Sequence, residues 1–315
     1  MNMSAPATSA VSTKNLLTGT EWNSSQIHEL FRLARNLKLH PRRHRTALSG
    51  RFIALVFEKP SLRTRVTFEA GIANLGGSST FLDYSTHRLA ERESVADVAM
   101  SLELWAHCVV ARVFSQETLV EFATHAKFPV INALSDKFHP CQVLSDFFTL
   151  GERFGNVRGL KLAYVGDGNN VCHSLISIAA RLGAHICVAT PAQYAPDTAI
   201  VEEAMRAAQE TGATIEVLRS PEEAVTGAQA VYTDVWVSMG FEAETEARLP
   251  AFTGYQVNQR LFSLAAPDAV FLHCLPARRG LEVTDEVIDS PRSIVFDQAE
   301  NRLHVQKAIL LTLLG

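Results

Sequence analysis

Six consecutive apolar residues, Phe52-Ile53-Ala54-Leu55-Val56-Phe57, show no polar alternation, and so read as a strand covered on both faces, as in a parallel sheet. The chain then turns through Glu58-Lys59-Pro60-Ser61 into a helical pattern that stops at Gly76-Gly77. Pro60 disfavours helical backbone at Lys59 and Ser61 is a strong N-cap. The helix is therefore expected to start near Leu62, with Arg63, Thr64 and Arg65 in its first turn. Two cations at the positive end of a helix dipole cost stability unless an anion sits there. Backbone N–H groups, the hydroxyls of Ser61 and Thr64 and the Arg63 guanidinium would together cradle a dianion such as phosphate. An ordinary capped helix with solvated arginines is the plain alternative.

The strand, turn and helix unit recurs. An amphipathic helix capped by Asn23-Ser24-Ser25 places Ile27, Leu30, Phe31, Ala34 and Leu37 on one face. After the first unit the pattern predicts a short strand at Ser79 to Leu82, an exposed polar loop at Asp83 to Glu93 and a helix at Val95 to His107. A strand at Cys108 to Phe114, a helix at Gln116 to Ala126 and a strand around Pro129-Val130-Ile131 follow. His139-Pro140 then opens a helix running to about Phe154. Gly155 to Gly159 is a break, after which Lys161 to Val165 restarts the alternation. Strands are expected at His185 to Ala189, Thr214 to Leu218, Ala228 to Asp234 and Ala269 to Leu272, and a last helix from about Glu300. The expected fold is α/β, with two domains at residues 15–154 and 155–298, each a parallel sheet with helices on both faces. Residues 1–14 read as a disordered leader and 299–315 as a terminal helix free to dock elsewhere.

Composition narrows the function classes. At 315 residues, 47% hydrophobic and 20% charged, the chain suits well-filled soluble domains. A net charge of −4 gives no global attraction to nucleic acid or anionic membranes, so anion binding must be local. Cys108, Cys141, Cys172, Cys187 and Cys274 are odd in number and lack paired spacing, which argues against a disulfide framework or zinc site and for a reducing compartment. No stretch approaches the length of a membrane span. A cytoplasmic location is expected.

Chemistry-bearing residues collect at strand ends. Gly166-Asp167-Gly168 lacks the third glycine of a dinucleotide fingerprint, and Asn169-Asn170 offer amides suited to a carboxylate or amide ligand, or simply to capping a turn. The loop from Asp234 to Gly240 packs a carboxylate, Trp236, Ser238 and a glycine hinge together; a surface turn with Trp236 in the core is the bland alternative. His273-Cys274-Leu275-Pro276 sets an imidazole and a thiol at a sheet edge, where open α/β folds bind ligands, unless Cys274 merely packs. His139-Pro140-Cys141-Gln142 offers a donor at a helix start.

In this order, the stretches resemble the aspartate/ornithine carbamoyltransferase family over about Asn15 to the C-terminus. The likeness is carried by Phe57 to Arg65, Ala111-Arg112-Val113, His139 to Gln142, Gly166 to Asn170, Asp234 to Gly240, His273 to Pro276 and Glu300-Asn301-Arg302. The Ser-Met-Gly loop with His-Cys-Leu-Pro marks the ornithine branch. The resemblance implies a carbamoyl phosphate-binding first domain, an ornithine-binding second domain, and a terminal helix packing back on the first. It implies that Ser61, the backbone of Leu62, Arg63 and Thr64 hold phosphate with Arg112 and Arg302, and that His139 and Gln142 address the carbamoyl oxygen and amide. Asn170, Asp234, Ser238 and Met239 would bind the amino-acid end of L-ornithine, with Cys274 and the Leu275 carbonyl between the substrates. Arg112, His139 and Cys274 are the implied catalytic residues; no cofactor or metal is implied. Arg88 falls where a neighbouring subunit's phosphate is usually reached, in a homotrimer or a multiple of trimers with active sites at subunit interfaces. Leu62 stands where most members carry Thr, and related enzymes acting on acylated ornithine also carry a Leu there. The intact Asp234 to Gly240 loop argues for free ornithine, with acetylornithine, succinylornithine or putrescine as alternatives and a non-catalytic binding module as a distant one.

Overall fold

The computed structural model describes residues 14–238 and 242–315. The first half holds β1 (Phe52–Phe57), β2 (Ser78–Asp83), β3 (Cys108–Arg112) and β4 (Val130–Leu134), with α1 (Ser24–Leu39), α2 (Leu62–Asn74), α3 (Val95–Glu103), α4 (Gln116–His125) and α5 (Pro140–Phe154). The second holds β5 (Lys161–Val165), β6 (His185–Ala189), β7 (Ile215–Leu218), β8 (Ala230–Thr233) and β9 (Val270–His273). Its helices are α6 (Asn170–Leu182), α7 (Thr198–Thr211), α8 (Pro221–Val225), α9 (Thr245–Ala251), α10 (Gln259–Phe262), α11 (Asp285–Ile288) and α12 (Val295–Leu314). All pairings between these strands are parallel, in the orders β2-β1-β3-β4 and β7-β6-β5-β8-β9. The result is a two-domain α/β fold.

Local chemistry explains the key elements. Ser61 has extended backbone (φ −159°, ψ 116°) and its side chain accepts from the Thr64 N–H, so α2 starts where proline and serine placed it. A capping box between Asn23 and Gln26 opens α1. Gly168 is required by close backbone approach: a Cβ there would sit 2.3 Å from Pro196 N, so the glycine answers packing rather than a nucleotide.

Three expectations shift. The last helix begins at Val295, five residues before Glu300, because Ile294 supplies no side-chain cap and left no start signal in the sequence. The short helices α9 to α11, four to seven residues each, were too brief to show periodicity. The loop from Asp83 to Glu93 is mostly exposed, but Leu89 is buried and its N–H is accepted by Glu58 Oε1 at 2.8 Å. Helix α12 packs against α1, α2 and α5, which brings the chain's last helix back on the first sheet's side.

Candidate active site

Each sheet reverses its winding once, between β1 and β3 in the first and between β5 and β8 in the second, and ligands of open α/β sheets bind at the carboxyl ends flanking such points. Here the two crevices face one cavity of about 710 Å³. Its walls are tied together by hydrogen bonds from His139 N to Ser174 Oγ (2.8 Å) and from Asn170 Nδ2 to the Ser135 carbonyl (2.5 Å).

The first wall is cationic. Phe57 and Arg112 are in register across β1 and β3, so the elbow after β1 and the Arg112 side chain emerge side by side. Ser61, Leu62, Arg63 and Thr64 line the cavity at the N-terminus of α2, and Arg302 arrives on α12 to donate from Nη2 to Thr64 Oγ1 at 2.7 Å. Among the described residues, Arg63, Arg112 and Arg302 form no direct ion pair, and the Nε atoms of Arg112 and Arg302 are buried without a partner. Burial, then Arg302, lower Arg112 to about 9, and burial also lowers Arg63 and Arg302. Cations held this close without counter-charge describe a site that wants an anion. Arg65, by contrast, turns away, pairing with Glu69 at 3.0 Å and lying over the Phe81 ring.

His139 and Gln142 stand beside this cluster at the start of α5. Burial, then Arg302 and Arg112, hold the His139 imidazole far below its ordinary range, so it is neutral and serves as a hydrogen-bonding group. Its Nδ1 and the Oε1 of Gln142 are buried without partners among the described residues.

The second wall is acidic and already bonded. Thr233 and His273 are register partners on β8 and β9, so the next residues, Asp234 and Cys274, leave the sheet together. Cys274 Sγ donates to Asp234 Oδ1 at 3.0 Å, Val235 N to the same oxygen at 2.8 Å, and Asn169 Nδ2 to Oδ2 at 2.8 Å. Burial, then Asp234, push the Cys274 thiol well above its usual value, which makes it a neutral donor and not a nucleophile. Leu275 sits at φ 58°, a left-handed backbone that side chains rarely adopt, held by its N–H to His273 Nδ1 at 2.9 Å. Asn170, Ser238 and Leu275 complete the wall; Met239 lies outside the described residues.

Asp234, His273 and Cys274 bring ligand-type atoms within 4.8 Å of one another, as a metal site would. The imidazole is committed elsewhere, however: Nδ1 accepts from Leu275 N and Nε2 meets Glu282 Oε1 at 3.2 Å. The donor set therefore does not suit a metal.

Three further residues shape the cavity or its elbow, and of these Arg248 had no sequence signal. Arg248 lines the cavity and pairs with Asp167 at 2.7 Å, both largely buried. Lys59 lines it too, with its ammonium 4.6 Å from the Phe114 ring. Glu58 staples the elbow, accepting from Leu89 N and Phe114 N at 2.8 Å each. Arg88 is exposed, stacks over Phe114 at 4.7 Å and does not line this cavity.

Fold and cavity together define a two-domain α/β protein whose single cavity has a cationic wall at the end of one sheet and an acidic wall at the end of the other. The chain belongs to the aspartate/ornithine carbamoyltransferase family: the family's carbamoyl-P binding domain matches residues 14–152 and its Asp/Orn binding domain residues 158–313. It is 49% identical to the ornithine carbamoyltransferase of Symbiobacterium thermophilum over 94% of this chain and 96% of that one. The corresponding Pyrococcus abyssi protein is 45% identical, with 96% of each chain covered. Among solved structures, the ornithine carbamoyltransferase of Pyrococcus furiosus superposes with a TM-score of 0.92 at 45% identity, covering 96% of this chain and 97% of that one.

Proposed function

We propose that this protein transfers the carbamoyl group of carbamoyl phosphate to the δ-amine of L-ornithine, giving L-citrulline and phosphate. The observation that carries the reading is one cavity with three arginines that have no ion-pair partner among the described residues on one wall and the Asp234 and Cys274 pair on the other. Ser61, Arg63, Thr64, Arg112, Arg302 and the backbone N–H of Leu62 hold the phosphate. Leu62 can play that part because its side chain is 75% exposed. His139 and Gln142 hold the carbamoyl oxygen and amide. Asn170, Asp234, Ser238 and Met239 hold the amino-acid end of ornithine, with Asp234 opposite its α-ammonium.

The reaction needs no covalent intermediate. The neutral δ-amine attacks the carbonyl carbon, a C–N bond forms, the C–O bond to phosphate breaks, and the proton that the amine nitrogen gives up goes to the departing phosphate, which leaves as the dianion. Arg63, Arg112, Arg302 and the α2 N-terminus stabilise the leaving dianion, while Thr64, Arg112 and neutral His139 donate to the developing oxyanion. The free δ-amine is protonated in water, with a pKa near the roughly 10.4 of lysine, and the cations of the first wall favour its neutral form. Cys274 and the Leu275 carbonyl orient it.

Arg88 supports a further part of the reading. It lies outside its own cavity, while Leu62, Val66, Met100, Leu104 and Trp105 expose large apolar surface on or beside α2 and α3. Those features suit a trimer in which Arg88 reaches a neighbour's phosphate. Among the described residues no helix is long and apolar enough to cross a membrane, in keeping with a cytoplasmic enzyme. A domain boundary at residues 155–159 fits the break between α5 and β5. The test is citrulline formation, run in parallel with acetylornithine, succinylornithine and putrescine as acceptors. Free ornithine should be used at least a hundred times more efficiently than any of them. Preference for an acylated acceptor would overturn the placement of Asp234.

A further inference from the structure

Gln142 is 1% exposed, yet its two amide atoms are treated differently. Nε2 donates to Asp146 Oδ1 at 2.8 Å, while Oε1 has no partner among the described residues. A primary amide can present either atom to a cavity, so something must choose. The choice traces to a relay behind the wall. The His273 main-chain N–H, a donor that cannot reverse, is accepted by Gln298 Oε1 at 3.0 Å. That leaves Gln298 Nε2 to donate to Asp146 Oδ1 at 2.9 Å, which fixes this oxygen as an acceptor. Tyr232 donates its hydroxyl to the other oxygen at 3.1 Å. Gln142 must therefore bring its NH₂ to Asp146 and leave its carbonyl oxygen for the cavity. Asp146 and Tyr232 are fully buried and Gln298 is 1% exposed, and Asp146 itself does not line the cavity.

We propose that Asp146 is a positioning residue for donor choice: by holding the Gln142 amide in one sense, it makes the site demand an N–H on the acyl group of the phosphorylated donor. A carbamoyl group supplies that N–H. An acetyl group of nearly the same shape sets a methyl against Oε1 and leaves a buried acceptor unpaired. The inference rests on the first wall holding carbamoyl phosphate, as proposed above.

The test is calorimetric titration, without ornithine, of carbamoyl phosphate, acetyl phosphate and inorganic phosphate. The proteins are wild type, Asp146→Leu, Asp146→Ser and Asp146→Asn. Wild type should prefer carbamoyl over acetyl phosphate by about tenfold or more. In the Leu and Ser variants the amide loses its anchor and the preference should shrink to within about threefold. Inorganic phosphate should bind them as it binds wild type, reporting an intact cradle. Asp146→Asn should keep the preference, because its Oδ1 still accepts from both glutamines while the Tyr232 hydroxyl reverses. A residue that only stabilised the fold would weaken both donors alike and leave their ratio unmoved. Equal affinity of wild type for the two donors overturns the inference, as does an unchanged ratio in either the Leu or the Ser variant or a lost ratio in the Asn variant. Wild type that fails to bind carbamoyl phosphate at all removes the functional reading beneath it.

Discussion

At the carboxyl end of the first sheet, guanidinium and imidazole nitrogens of Arg112, Arg302 and His139 are buried with no partner among the described residues, whereas at the second sheet's end both oxygens of Asp234 already hold donors. Each unpaired buried polar group costs about 1–3 kcal/mol, which the arriving dianion returns as binding. Among the described residues that line the cavity, the second wall shows no such reserve. Its ligand must share or displace bonds that exist, and it carries a cation toward three arginines. With the substrates placed as proposed above, the contrast predicts an order of events, with carbamoyl phosphate first and ornithine second. Ornithine should accordingly bind the free enzyme at least tenfold more weakly than the phosphate-loaded one, measured by calorimetry; equal binding would erase the distinction between the walls.

The contrast is broken most severely by Arg112→Met. Turnover should fall by a hundredfold or more, as when one preorganised donor is removed, and the stabilisation by added phosphate should shrink. Melting temperature without ligand should hold or rise, because a cation crowded by like charge has been removed. A large drop in melting temperature with turnover preserved would recast Arg112 as structural.

Asp234→Asn probes the other wall. Ornithine affinity should fall by up to about 3 kcal/mol, the value of a charged hydrogen bond, with carbamoyl phosphate affinity unchanged. Equal weakening of both substrates would move the ornithine site elsewhere.

A titration sharpens the comparison at the seam between the walls. Burial raises the Asp146 carboxyl to about 6. Its unfolded value lies near 3.9, so the folded chain holds an extra proton from about pH 4 to 6. The stability this group contributes is therefore fullest below pH 4 and is lost as pH rises through 6. Asp146→Asn, which never ionises, should gain on wild type by about 3 kcal/mol across that window and no further above it, read from paired thermal melts. A gap independent of pH would show that Asp146 carries no extra proton.

The smallest effect belongs to Cys274→Ser, whose hydroxyl can still donate to Asp234. Turnover should fall about tenfold or less with little change in melting temperature, and no acyl-enzyme burst should appear with either protein.

The sequence made the first wall far more legible than the second. Pro60, Ser61 and the paired arginines announce a helix N-terminus by local chemistry, and local chemistry is what a sequence displays. Asp234 and Cys274 meet only because Thr233 and His273 share a register between β8 and β9, a relation spanning 40 residues. The resemblance supplied the pairing that spacing did not. Arg248 escaped notice altogether, since nothing around it in the chain hints at Asp167, 81 residues away. The early start of α12 was hidden by a cap without a side-chain bond.

That helix also sets a schedule. Arg302 meets Thr64 across 238 positions of chain, so a ribosome finishes the phosphate loop long before it makes the arginine that braces it. A nascent chain stalled after the first sheet would carry most of the anion-binding groups and lack the full set. On the reading proposed above, the complete cradle therefore exists only once residue 302 has been made and α12 has folded back on α2.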